Sequence, residues 1–221
     1  MAEQLIFDWP TGVALEAEDF FVSAANAEAY ALIADPLRWP QGKLALSGPS
    51  GCGKSHLARV FAAGSGAMIV QADALPADLR PRGAVVVEDV QNLPHASEEA
   101  LFHLHNHQLA HNQPLLLTAQ CQPARWAIAL PDLASRMQAT TPVQIAAPDD
   151  ALLQAVLMKL FADRQIMPAP EVVRYLVPRI ERSFAAAQRI VLELDAVALA
   201  EHCRVSRKLA ARILDKSQPL L

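Results

Sequence analysis

Five short apolar runs punctuate the chain: "KLALSG" at 43–48, "AMIVQA" at 67–72, "AVVVEDV" at 84–90, "PLLLTAQ" at 114–120 and "PVQIAA" at 142–147. None alternates cleanly between apolar and polar positions. An unbroken run of that length predicts a strand covered on both faces, as in a parallel sheet. Between the runs, apolar residues recur at helical spacing near 23–34, 54–63, 97–111 and 131–138. Strand and helix in alternation predict an α/β layered fold.

The pattern changes after Pro148. "DDALLQAVLMKLFADRQ" at 149–165 opens on two acids and continues with apolar positions at helical spacing. Further helical patterns lie near 170–179, 182–200 and 204–215, punctuated by Pro168, Pro170 and Pro178. The expected organisation is a short tail over residues 1–12, an α/β domain over 13–148 and a small all-helical domain over 149–221.

Composition narrows the class. Of the 221 residues, 52% are hydrophobic and 19% charged, which builds a core rather than a disordered chain. The 19 basic and 23 acidic residues leave a net charge of −4, which argues against a global electrostatic grip on DNA. Cys52, Cys121 and Cys203 are scattered and show no CxxC pairing, so neither a disulfide framework nor a zinc site is expected. No apolar run nears the roughly 18 residues of a membrane span, and no basic-then-apolar leader opens the chain. The expectation is a cytoplasmic protein that does not engage membranes.

The chemistry begins at "GPSGCGKS", residues 48–55, which fits G-x-x-x-x-G-K-[ST]. It follows a predicted strand and opens a predicted helix, the context in which that pattern is a phosphate loop. Its residues are Gly48, Pro49, Ser50, Gly51, Cys52, Gly53, Lys54 and Ser55, with His56 next in line. Backbone N–H groups and the helix N-terminus would face phosphate oxygens, with Lys54 reaching the outer phosphates and Ser55 holding Mg²⁺. One strand later, "AVVVEDV" ends in Glu88 and Asp89. Carboxylates at a strand end bind Mg²⁺ directly or through water, and orient an attacking water; the plainer alternative is a charged turn. Two other features receive bland readings. His103, His107 and His111 have i, i+4 spacing, but no Cys or carboxylate completes a metal set. The basic "RVSRKLAARILDK" at 204–216 reads as a solvated helix face.

Taken in order, "EDFFVSAANAEAY" (18–30), "GPSGCGKSHL" (48–57), "VVVEDVQNL" (85–93), "EEALFHLHNH" (98–107), "LLLTAQCQPARW" (115–126) and "LPDLASRM" (130–137) resemble the AAA+ ATPase module of the bacterial replication initiator DnaA. The resemblance covers nearly the whole chain. It implies a P-loop AAA+ parallel sheet flanked by helices, followed by a helical lid. The initiator continues into a helix-turn-helix domain, whereas this sequence stops at Leu221. A module of this extent with a short tail is similar to the Hda family of DnaA regulatory inactivators. That likeness implies ADP or ATP with Mg²⁺ as cofactors, and DnaA and the DNA polymerase III sliding clamp as partners. DNA would be reached only through the clamp, and self-association stays open.

Several residues acquire roles from the resemblance. "QLIFDW" at 4–9 fits the family's clamp-binding pattern, with Gln4 hydrogen-bonding and Leu5, Phe7 and Trp9 filling apolar pockets; the alternative folds the aromatics back onto the core. Phe21, Val22 and Asn26 lie in the segment that packs around adenine in this family, or Phe21 and Val22 are ordinary core. Arg136 matches the family's arginine finger, offered to nucleotide on a neighbour; otherwise it is a surface ion pair. Three positions depart from the pattern. Glu88 stands where aspartate is usual, Gln120 where an acid is common, and Ala185 where the lid arginine is expected. Arg182, three residues earlier, is the candidate substitute, with Arg189 about one turn later. These departures imply weak turnover by the chain's own site. Rivals are an autonomous P-loop ATPase or small-molecule kinase, and a truncated initiator-like DNA-binding protein.

Overall fold

The computed structural model describes residues 22–217. Gln4, Leu5, Phe7, Trp9 and Phe21 lie outside the described residues. Five strands form one parallel sheet in the order β2-β3-β4-β1-β5. They are β1 (Lys43–Ser47), β2 (Met68–Gln71), β3 (Val85–Glu88), β4 (Leu115–Ala119) and β5 (Thr141–Gln144). Four helices accompany them: α1 (Ala27–Ala34), α2 (Lys54–Ser65), α3 (Glu98–Ala110) and α4 (Pro131–Ala139). The first starts at Ala27 rather than 23, because the Asn26 side chain accepts the N–H of Ser23 at 2.8 Å and holds a turn there.

The unbroken apolar runs have a direct cause. Successive strand residues point to opposite faces, and here both faces are covered. Leu44 and Leu46 of β1 join Val86, Leu116, Leu57 and Phe61 in the core under α1 and α2. Ala45 joins Val85, Val87, Leu117, Leu104 and Leu133 in the core under α3 and α4. Each such leucine contributes on the order of 1.5–3 kcal/mol by leaving water. The runs at 67–72 and 142–147 are the two edge strands and are only partly covered. Pro142 has no N–H to donate and sits in edge strand β5, where that loss is tolerated.

Beyond β5 the chain is helical: α5 (Asp150–Asp163), α6 (Pro170–Leu176), α7 (Phe184–Ala200) and α8 (Arg207–Ser217). Asp149 caps α5, its carboxylate accepting the N–H of Leu152 at 2.7 Å. Leu153, Leu157 and Phe161 fall on one face of α5 and pack with Val173, Leu176, Ile190, Leu194 and Ile213 in a core that no strand residue enters. Among the described residues no helix is long and apolar enough to cross a membrane.

Candidate functional site

Three neighbouring strands, β3, β4 and β1, deliver their carboxyl ends to one place, the usual location of a ligand crevice in an open α/β sheet. The 48–55 loop leaves β1 and runs into α2. Gly48 donates its N–H to Ala119 O at 3.2 Å, tying the loop to the end of β4. A side chain at Gly48 has no room: its Cβ would stand 2.5 Å from Ile145 O and 2.7 Å from Cys52 Sγ. Cys52 is buried, and burial pushes its thiol above the usual range, so it is packing rather than a nucleophile. Pro49 and Ser50 are exposed, whereas Ser55 and His56 are half-buried.

Lys54 is only 7% exposed. Its ammonium donates to Gly48 O at 2.8 Å and to Pro49 O at 2.9 Å, so it lies inside the loop's own curve. Those bonds use two of its three donors. The segment assigned to the base lies nearby. Ala25 O accepts the N–H of Ala146 at 3.0 Å, just past β5, and Ile145 N–H donates to Ser47 O. Asn26 is buried, while Val22 is 51% exposed and therefore not core.

Glu88 ends β3 and is 5% exposed. Gln71 Nε2 donates to its Oε2 at 3.0 Å, while Oε1 has no hydrogen-bond partner among the described residues. A buried carboxylate oxygen left without a donor is costly unless something else binds it. Asp89 follows in a left-handed conformation, φ 56°, that Asp tolerates better than most residues. Thr118 Oγ1 accepts the Asp89 N–H at 3.2 Å, and Gln91 Nε2 donates to Asp89 Oδ1 at 3.0 Å. Gln91 Oε1 in turn accepts the N–H of Gln120 at 3.0 Å. The acidic turn of β3 and the polar end of β4 are one network.

The start of α7 sits directly on the loop. Phe184 donates its N–H, an orphan of the helix's first turn, to Gly51 O at 2.8 Å. Gly51 has φ +70°, and a Cβ there would meet Ser183 Cβ at 3.0 Å and Ala185 Cβ at 3.3 Å. Ala185 is thus beside the phosphate loop, and its side chain ends at one methyl. Arg182 pairs with Asp150 at 2.7 Å, both largely exposed, and Arg189 is exposed.

Arg136 stands at the other end of the sheet. It lies in the last turn of α4, and Thr140 Oγ1 donates to its carbonyl at 3.0 Å. The next residue, Thr141, is in register with Leu44, one residue past the start of β1. The guanidinium carbon is 5.0 Å from the centroid of the Phe102 ring. Lys43, the first residue of β1, is 2% exposed and donates to Gln41 O at 3.2 Å. Burial, then the charge of Arg136, lowers its pKa.

His105 lies against these two cations. It is 3% exposed, and its Nδ1 has no hydrogen-bond partner among the described residues. Burial, then Lys43 and Arg136, push the imidazole from 6.5 down to about 4, against an opposing hydrogen bond with Asn106. The unfolded chain takes up this proton near pH 6.5 while the folded chain refuses it until about pH 4. Stability therefore falls as pH drops through that window, by about 3 kcal/mol in total. Urea midpoints of His105→Gln should lack this slope; an equal slope in both proteins would assign it to other groups.

Lys43 lies outside every motif read from the sequence, and the stretch 98–107 that holds Phe102 and His105 gives neither of them a role. His107 and His111 are occupied locally: His107 Nε2 lies 2.9 Å from Pro81 O and His111 Nδ1 2.8 Å from His107 O.

No protein-family model and no curated protein matches the chain. Solved structures do. Domain III of the Thermotoga maritima replication initiation protein DnaA superposes with a TM-score of 0.78 at 16% identity, over 94% of this chain and 98% of that one. AMPPCP-bound DnaA from Aquifex aeolicus gives 0.68 at 17% identity, over 80% and 63%. The Thermotoga maritima RuvB Holliday junction branch migration motor gives 0.70 at 15%, over 90% and 71%. The chain has the AAA+ P-loop fold of DnaA domain III, a five-stranded parallel sheet flanked by helices with a helical C-terminal portion.

Proposed function

We propose that this chain is a DnaA-related AAA+ adaptor. It binds adenine nucleotide at residues 48–55, tethers itself to the DNA polymerase sliding clamp through residues 4–9, and promotes hydrolysis of ATP bound to DnaA. The observation that carries the reading is the separation of two cations. Lys54 follows the carboxyl end of β1, while Arg136 lies beside its amino end. Five strand residues span about 16 Å, longer than an extended arginine side chain. Arg136 therefore does not serve the chain's own phosphate loop. It is available to a nucleotide held by a neighbour, where a guanidinium stabilises the charge that develops as the γ-phosphoryl group leaves ADP for water.

The chain's own site fits a bound nucleotide and weak turnover. The loop's N–H groups, the start of α2 and Lys54 supply positive charge for phosphates. A DnaA of the same fold carries the ATP analogue AMPPCP, which supports an adenine nucleotide here. Ser55 and Glu88 Oε1, which has no hydrogen-bond partner among the described residues, are the groups that would hold Mg²⁺, which would neutralise phosphate charge. Against efficient hydrolysis stand Ala185 at the loop and Arg182 engaged by Asp150. Asp89 is the remaining acid for orienting a water, and it is bonded to Gln91.

The test adds the purified chain to ATP-loaded DnaA with clamp and DNA. Faster release of phosphate from DnaA supports the adaptor. Strong turnover without DnaA would favour an autonomous ATPase or kinase, and tight salt-sensitive binding to naked DNA an initiator-like protein. Deleting residues 4–9 should abolish co-migration with the clamp and reduce stimulation, since tethering works by raising local concentration. Unchanged co-migration would remove the tail from the proposal.

A further inference from the structure

Helix α3 carries two side chains that the phosphate site does not use, and both bear on α4. Glu98, its first residue, is 3% exposed. Its Oε1 accepts the N–H of Ala129 at 3.1 Å and its Oε2 that of Leu130 at 2.6 Å. These residues lead into α4, whose N-cap residue Leu130 provides no side-chain cap. The carboxylate supplies from a neighbouring helix the acceptor that α4 lacks, and so fixes where α4 begins. His95 Nδ1 lies 2.6 Å from Glu98 Oε1. Burial alone would raise the pKa of Glu98, but His95 and the two N–H groups bring it below the usual carboxylate range.

Phe102 stands four positions further on and shares a face of α3 with Glu98. Its ring is half-buried and packs on the core formed with Val87, Leu101 and Leu133. Arg136 lies over that ring at 5.0 Å. A guanidinium on a flexible stem otherwise samples many rotamers, and an anchored aromatic face restricts it while leaving its N–H fork unused. Lys43 and His105 beside it offer no acceptor anion, and no ion pair engages the guanidinium among the described residues.

We infer that Phe102 is a positioning residue for Arg136, a shelf that presents the guanidinium to a partner's nucleotide, with Glu98 setting the helix from which the arginine extends. The inference rests on the proposal that Arg136 acts in trans. Its test uses the full chain with ATP-loaded DnaA, clamp and DNA, comparing Phe102→Leu, Phe102→Tyr and Arg136→Ala. Phe102→Leu should lower the maximal stimulated rate about two- to five-fold at an unchanged half-saturating concentration of the chain. Phe102→Tyr, which keeps the ring face, should retain the wild-type rate. ADP affinity of the chain's own loop serves as the folding control, and Phe102→Met is read in place of the leucine variant if that control fails.

An unchanged maximal rate in Phe102→Leu, or a tyrosine variant as slow as the leucine one, overturns the inference. A shift in half-saturation alone also overturns it, placing Phe102 in docking. If Arg136→Ala abolishes stimulation while Phe102→Leu does not alter it, only the positioning role falls. If Arg136→Ala is itself without effect, the trans-acting arginine falls and the shelf with it.

Discussion

Replacing Arg136 by alanine is expected to lower clamp- and DNA-dependent hydrolysis of DnaA-bound ATP by about 10³-fold or more, the scale of an arginine supplied in trans. That corresponds to roughly 4 kcal/mol of transition-state stabilisation. The size follows from where the charge acts: it is felt where the γ-phosphoryl group separates from ADP, and far less in the ground state. The variant should therefore keep its clamp contact and its own nucleotide affinity. The geometry makes these readouts separable, because Arg136 is at the opposite end of β1 from Lys54. Arg136→Lys should recover little, since a point ammonium lacks the planar fork and stacks less well on Phe102. A rate for Arg136→Ala within about two-fold of wild type, against that expected thousand-fold, would exclude the trans arginine and leave the residue as a partner of the Phe102 ring.

The strands were legible because their cause is local. β1 reads "KLALS" and buries all five residues, since one run feeds two cores at once. The loop at 48–55 was legible for the same reason, as it needs only a strand before it and a helix after it. Edge position was not legible. "MIVQ" and "TPVQ" look like interior strands, yet the strand order leaves each with one neighbour. That order depends on crossovers between distant segments.

The site was legible where one stretch of chain makes it and opaque where several meet. Glu88 was found as an acid at a strand end, but its pairing with Gln71 needs the register between β2 and β3. Lys43 reads as the polar first residue of a strand, and only packing between sequence-distant helices buries it. Glu98 reads as an ordinary acid in a helix's first turn, where it also suits the helix dipole. Its bonds to Ala129 and Leu130 span more than 30 positions of sequence. The contact between Gly51 and the start of α7 is of the same kind. It explains why Ala185, read only as a missing arginine, is also a residue small enough to sit against the loop.

Replacing Lys54 by alanine is expected to weaken ADP and ATP binding by thirty-fold or more, about 2–5 kcal/mol, the cost of removing one partner from a buried charge-assisted contact. Lys54 is nearly enclosed and makes two bonds to loop carbonyls, so the loss has two parts. One is the attraction between ammonium and phosphate. The other is pre-organisation, because those bonds hold Gly48 and Pro49 in the curve that aims the loop's N–H groups at a phosphate. Thermal melts with and without nucleotide read the change directly. At a ligand concentration of 100 times the wild-type Kd, binding stabilises the folded chain by about 2.7 kcal/mol. A thirty-fold weaker site retains only about 0.9 kcal/mol under the same conditions. The nucleotide-dependent shift, not the melting temperature itself, is the readout, because losing the two loop bonds also lowers the stability of the bare variant. Comparison with Arg136→Ala then separates the two cations. Arg136→Ala should keep the full nucleotide-dependent shift and lose stimulation of DnaA, whereas Lys54→Ala should lose the shift. If Lys54→Ala binds ADP as tightly as wild type, residues 48–55 are not the nucleotide site, and the adaptor must be rebuilt around another part of the fold.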